Sequence, residues 1–136
     1  MSFTPELEYI QFPEHYAYVL VEAGQTKEVF NIPVSAGFVA FIDRIACDWS
    51  EGSDPSHVPS TAAVLELIID GFTRRFQYEI PINNPYVYKP QIVARRFIKM
   101  RVTNNDVPYT ASDGTPKTGA HYYGVLIDGI FARPKT

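Results

Sequence analysis

The sequence predicts an all-β protein: about eight strands in an antiparallel β-sandwich, jelly-roll-like, with an extended N-terminal arm. Three observations carry this expectation. Valine and isoleucine together number 24 against 5 leucines, and tyrosine and phenylalanine add 18. Branched and aromatic side chains suit a pleated, half-buried surface, whereas helical cores lean on leucine and alanine. The 11 prolines fall mainly between apolar runs, as loop punctuation does. Apolar runs also end in Asp-Gly pairs, a strong short-range hairpin signal because both central residues of a type I′ turn need positive φ. A chain of 136 residues is one domain of ordinary size. It divides into an arm, 1–14, and a sandwich, 15–136.

Along the chain, residues 1–13 hold Pro5 and Pro13 among scattered aromatics and read as an extended arm with little structure of its own. HYAYVLVE (15–22) suits a strand, KEVFNI (27–32) a second, and Ser35-Ala36-Gly37 a turn. FVAFIDRIACDW (38–49) is apolar on both faces, with Val39, Phe41, Ile45 and Cys47 on one side and Phe38, Ala40 and Ile42 on the other. Such a strand is central or covered twice. SEGSDPSHVPS is an exposed loop.

Residues 61–69, Asp70-Gly71 and Phe72–Ile80 form a hairpin, its second arm alternating Phe72, Phe76, Tyr78 and Ile80 against Thr73, Arg75, Gln77 and Glu79. The first arm has a competing reading, a short helix capped by Ser60 and stopped by Gly71. Tyr86 to Pro90 is extended at most. Residues 95–103 alternate again, with Ile98, Met100 and Val102 opposite Arg95, Lys99 and Arg101. A polar loop, 104–119, precedes the last strong strand, 120–127, and a second Asp-Gly pair at 128–129. The echo between LIIDGF (67–72) and VLIDGI (125–130) suggests two equivalent turns at one end of the sandwich.

Several function classes fall away. Cys47 is alone, so there is no intrachain disulfide and no cysteine-based zinc cluster, and a small buried apolar role suits it better than that of a nucleophile. His15, His57 and His121 form no metal-spaced pair. Asp48, Glu51 and Asp54 flank a loop and offer oxygens to calcium, but without EF-hand spacing, and loop acids are ordinarily just solvated. No phosphate loop or nucleophile elbow is present. The expectation is a protein that is not an enzyme and has no cofactor. The start of the chain lacks the basic and apolar regions of a signal peptide, and no apolar run approaches the roughly 20 residues of a membrane span.

Charge is uneven: residues 1–60 carry two cations and nine acids, and residues 61–136 ten cations and six acids, for a total of −3. That asymmetry either orients head-to-tail contacts between copies or mixes once the strands interleave. Arg95, Arg96, Lys99 and Arg101, with Phe97, form the densest basic segment. It would track single-stranded nucleic acid or serve as a charged outer face, and the acidic total favours the face, so no nucleic-acid partner is expected. Trp49, Tyr86, Tyr88 and Tyr109 lie outside the clear core stripes and are candidate binding anchors on loops.

Taken in order, VFNIPVSAGFVAFIDRIACDW, LELIIDGFTRRFQYEIP, ARRFIKMRVTNN and HYYGVLIDGIF resemble the small jelly-roll structural proteins of tailed-bacteriophage virions, of the auxiliary or head-decoration kind. The resemblance covers roughly residues 28–131. It implies a non-enzymatic virion protein that binds the major capsid protein or another virion protein and reinforces the head. It also implies a homo-oligomer, with a trimer the expected state, located in the virion. The interface expected on this reading draws on the arm and on loops 50–60 and 104–119: Tyr9, Phe12, Trp49, Asp54, His57, Tyr86, Tyr88, Arg95, Lys99, Arg101 and Tyr109. A tail-completion or connector protein is the near alternative, and a carbohydrate- or receptor-binding sandwich the more distant one.

Overall fold

Strict alternation of apolar and charged residues leaves a strand only one way to face, and residues 97–104 obey it: Ile98, Met100 and Val102 are fully buried while Lys99 and Arg101 reach outward. The computed structural model describes residues 6–49, 63–77, 86–111 and 113–134. Among them lie β1 (Leu7–Gln11), β2 (Tyr16–Val21), β3 (Thr26–Pro33), β4 (Val39–Trp49) and β5 (Ala63–Ile69). β6 (Phe72–Gln77), β7 (Tyr86–Ala94), β8 (Phe97–Asn104), β9 (Tyr109–Thr110), β10 (Pro116–Lys117) and β11 (His121–Pro134) complete the set.

All pairings are antiparallel. One sheet runs β1-β11-β4-β7, with β2 also on β11, and the other runs β3-β8-β5-β6; β9 and β10 form a small hairpin apart. With β1, β9 and β10 set aside, eight long strands remain. Every link between consecutive long strands crosses from one sheet to the other except β5–β6, which stays within its sheet. This is the double Greek-key wrap of a jelly roll. The core lies between the sheets, where Val21, Ile42, Ile45, Tyr123, Val125 and Ile127 of one meet Phe30, Leu65, Leu67, Ile98, Met100 and Val102 of the other. Each such side chain contributes about 1.5–3 kcal/mol by leaving water.

The 61–69 segment resolves as strand, not helix: Ala63–Ile69 is paired on both sides, by β6 and β8. A buried position between two ladders satisfies its backbone and suits its branched residues, and this overrides any helix propensity. Asp70 (φ 50°) and Gly71 (φ 97°) both take left-handed conformations, as a type I′ turn requires. Asp70 does more than turn the chain. Its carboxylate accepts N–H bonds from Arg95 (2.9 Å), Arg96 (2.7 Å) and Phe97 (3.0 Å), tying the β5–β6 turn to the bend between β7 and β8.

Partial burial alone pushes the Asp70 pKa up, but these N–H bonds and the charge of Arg96 outweigh it and hold the group below its ordinary 3.8. The stabilisation is therefore complete above that ordinary value and is lost as pH falls through the lower folded one. Asp70→Asn keeps the turn but loses the charge, and is expected to cost about 1–2 kcal/mol at neutral pH. The deficit should shrink as pH falls below the ordinary 3.8 and through the lower folded value, where the wild-type carboxylate protonates. Urea midpoints from acid to neutral pH check both expectations.

Four expectations change in the folded chain. Leu7–Gln11, the middle of the expected arm, is a strand laid along Ile130–Pro134 of β11. Val39 and Phe41 do not share a face with Ile45 and Cys47, because Asp43 is an extra residue in β4 and this bulge reverses the alternation. Ala40 and Ile42 therefore join Ile45 and Cys47 in the core. The second Asp-Gly pair is not a turn: Asp128 and Gly129 lie inside β11, neither with positive φ, opposite the Asp43 bulge. The echo between 67–72 and 125–130 thus marks one turn and one strand interior. Finally, 86–90 belongs to β7, an edge strand whose register against β4 breaks between Val87 and Ile92, where Pro90 is tolerated.

Candidate assembly surface

The two outer faces of the sandwich differ in chemistry. On the β3-β8-β5-β6 sheet, Glu28, Arg101, Glu66 and Arg75 stand in register across four strands, a row of alternating sign. Glu66 is buried beneath Arg101 and Arg75, each 3.4 Å away. Lys99 lies over the Phe97 ring at 5.2 Å. Within the basic segment Arg101 is thereby matched by Glu66, and the backbone N–H groups of Arg95 and Arg96 are held by Asp70. Two further pairs close within the other sheet: Arg133 of the basic half bonds Glu8 of the acidic half, and Arg44 bonds Asp128.

The outer face of the other sheet is apolar and aromatic. Register places Leu20 of β2 opposite Tyr122, Tyr18 opposite Gly124, and Tyr16 opposite Leu126, which in turn faces Ala46 of β4. Gly124 leaves room for Tyr18 and Tyr122 to stack diagonally, centroids 5.3 Å apart and planes within 6°. Next comes a polar row, Asp128 paired with Arg44 at 2.5 Å. Beyond it, Ile130 faces Phe41 on one side and Gln11 on the other, Phe41 in turn faces Val93, and Ala132 faces Val39 and Tyr9. Tyr9, Tyr16, Tyr18, Leu20 and Tyr122 are between 39% and 59% exposed, so large aromatic and aliphatic side chains occupy much of a face that on a solvated sheet is normally polar.

At the polar row the surface dips into a cleft of about 550 Å³ lined by Gln11, His15, Asp43, Arg44, Asp128 and Ile130, with Phe12 and Gly129 beneath. The cleft follows from the fold: β1 and β2 lie end to end along the same edge of β11, and the gap between them coincides with the β4 bulge. The Asp43 carboxylate accepts the Gln91 amide. Among the described residues, no three His, Cys, Asp or Glu side chains gather as a metal site, and no helix is long and apolar enough to cross a membrane.

The long polar loop is anchored from inside. Asn104, fully buried, donates to the carbonyls of Val21 (2.9 Å) and Gly119 (2.8 Å) and accepts the Asp106 N–H (2.9 Å). His121 Nε2 lies 2.7 Å from Asp106 Oδ2, both side chains buried, and the His121 ring packs edge-on to Tyr123. Burial, with Asp106 nearby, drives the Tyr123 hydroxyl far above its usual pKa. These groups seal one end of the sandwich and are closed to solvent.

No protein-family model matches the chain, and no curated protein matches it. Among solved structures, that of the infectious bursal disease virus Gt strain is similar over 96% of this chain, with a TM-score of 0.46 and 11% identity. Infectious bursal virus derived T=1 particles give a TM-score of 0.44 at 12% identity, and the Gx strain 0.42 at 10%, again over 96% of this chain. The chain spans 32% of the length of each of these. The jelly-roll assignment rests on the strand order.

Of the expected interface residues, Tyr9 stands on the aromatic face. Phe12 is buried within the chain, its ring 4.9 Å from Phe131, where it closes the gap between β1 and β2 over the core. Arg95, Lys99 and Arg101 lie on the other sheet or its bend, away from Tyr9. Tyr109 is half-buried in β9, beside the polar loop. Trp49, Tyr86 and Tyr88 are placed only by backbone, in β4 and β7, and Asp54 and His57 lie outside the described residues. The residues missed from sequence are Tyr16, Tyr18, Leu20 and Tyr122. Their signal was present in HYAYVLVE, whose two faces are both apolar although it ends up at a sheet edge.

Proposed function

We propose that this chain is a non-enzymatic structural protein of a virion, present in many copies, which binds the major capsid protein or another virion protein and reinforces the head as a decoration or auxiliary protein. The observation that carries the reading is a jelly roll with one broad aromatic sheet face left uncovered. Jelly rolls serve viral capsids and lectins alike, so the architecture alone names no activity, and the surface must. A broad, largely aromatic face whose central ion pair is closed within the chain suits protein contact better than a charged or metal-borne ligand. Repetition over a shell turns modest single contacts into lasting attachment, and no nucleic-acid, membrane or cofactor role enters.

Mass spectrometry of density-purified virus-sized particles from the source culture tests this. The chain is expected in the particle band in many copies. Its presence only in the unassembled fraction overturns the reading, and a band of isolated tails would move it to a tail-completion or connector role. The cleft beside Tyr16 favours one second reading, carbohydrate binding. Saturable binding of a defined glycan, lost on Arg44→Ala, Trp49→Ala or Tyr86→Ala, would establish it.

A further inference from the structure

The aromatic face carries a charge pair that is complementary to itself. Tyr16, Tyr18, Leu20 and Tyr122 form one apolar zone, Tyr9, Phe41, Ile130 and Val93 another, and the Arg44–Asp128 pair lies between them. Arg44 and Asp128 stand side by side on neighbouring strands, so a half-turn about an axis that lies in the face, along the strands and between the two, exchanges their positions. We infer that this face is a two-fold contact with a second copy of the chain, centred on the Arg44–Asp128 row; the inference rests on the assembly reading and supplies its first partner. Under that half-turn each zone meets its own counterpart on the neighbour. Arg44 of one copy then approaches Asp128 of the other, so no unpaired charge is buried.

Three further features agree. The surface is that of a sheet, and two sheets stack about 10 Å apart with side chains interdigitating. At roughly 200 Å² per tyrosine side chain, the four exposed rings leave on the order of 400 Å² open. With the flanking leucine, isoleucine, phenylalanine and valine, this approaches the ~800 Å² per partner of a standard interface. The charges also give little polarity for a head-to-tail contact, since Glu8–Arg133, Arg44–Asp128 and Glu66–Arg101 are each closed as ion pairs within one chain. An isologous pairing needs no such polarity.

Light scattering over a concentration series tests the pairing, with Tyr18→Arg as the disrupting variant and Phe72→Arg as the control. Phe72 is 80% exposed at the start of β6, on the opposite sheet. The wild type and the control are expected at twice the chain mass, with Tyr18→Arg weakening the dimer about tenfold or more. Arg44→Asp should weaken it too, and the charge swap Arg44→Asp with Asp128→Arg should restore it. Radical footprinting of the wild type covers the case of a variant that misfolds: Tyr18 and Tyr122 are expected to gain protection on concentration while Phe72 does not.

A wild type that stays monomeric overturns the inference, as does a dimer broken by Phe72→Arg but not by Tyr18→Arg. So does protection of Tyr18 and Tyr122 by an oligosaccharide instead of by concentration. A trimer or larger ring also overturns the two-fold contact while leaving the virion reading intact. A dimer whose chain is absent from virus-sized particles does the reverse.

Discussion

Asn104→Ala is expected to destabilise the protein by about 3–4 kcal/mol, a large share of the 5–15 kcal/mol typical of a domain. The side chain is fully buried and makes three hydrogen bonds to backbone groups, two as donor and one as acceptor. Alanine leaves the Val21 and Gly119 carbonyls and the Asp106 N–H short of a partner where water has no access. The backbone of Asn104 adds to its reach, donating to the Gln25 carbonyl and accepting from the Gly24 N–H. One residue thus joins the β2–β3 turn, the end of β8 and the approach to β11. Asn104→Asp should be worse than alanine at neutral pH, since a carboxylate would face two carbonyl oxygens, and it should recover part of its loss in acid. Urea unfolding of the two variants at neutral and acidic pH separates these outcomes; equal midpoints for wild type and Asn104→Ala would show that the network is dispensable.

Gly129→Ala is expected to cost about 3 kcal/mol or more, through overpacking. A methyl at this position would sit 2.3 Å from the Phe41 carbonyl oxygen and 2.5 Å from the Phe12 ring. The ring can be shortened by mutation, but the carbonyl is part of the β4 ladder and has nowhere to go. In a Phe12→Leu background the same substitution should therefore cost less, yet remain clearly unfavourable. Calorimetric or urea-derived stabilities of the four proteins in this cycle measure the coupling. A cost that vanished with Phe12→Leu would mean that the carbonyl contact is easily relaxed.

These two residues also mark how far the sequence was legible. Strands that alternate cleanly declared their faces, as 98–102 does, and the Asp70-Gly71 hairpin was readable because its chemistry is local. The same dipeptide at 128–129 misled because no dipeptide reports its partners: β4 runs on past it, the extra residue Asp43 absorbs the local twist, and glycine is there to admit Phe12, not to turn. The arm misled similarly, since whether Leu7–Gln11 hangs free or lies on β11 is decided at the far end of the sequence, by Ile130–Pro134. The surface was harder still. Alternation reveals that Tyr16, Tyr18 and Leu20 share a side but not whether another layer covers that side, so the loop aromatics drew attention that the sheet face deserved.

β11 collects β1, β2 and β4 as partners, and all three lie in the first 49 residues of the chain. A ribosome therefore releases three strands of this sheet long before it makes the strand that organises them. During that interval their edges are open, and only the β3-β8-β5-β6 layer can close without β11. The nascent chain is thus exposed to pairing between neighbours on one polysome, with the aromatic segment of β2 the most adhesive part. Yield of folded protein should accordingly depend on how quickly the last 14-residue strand follows, and slowing translation just ahead of His121 should divert more of the product into aggregates than slowing it after Pro134.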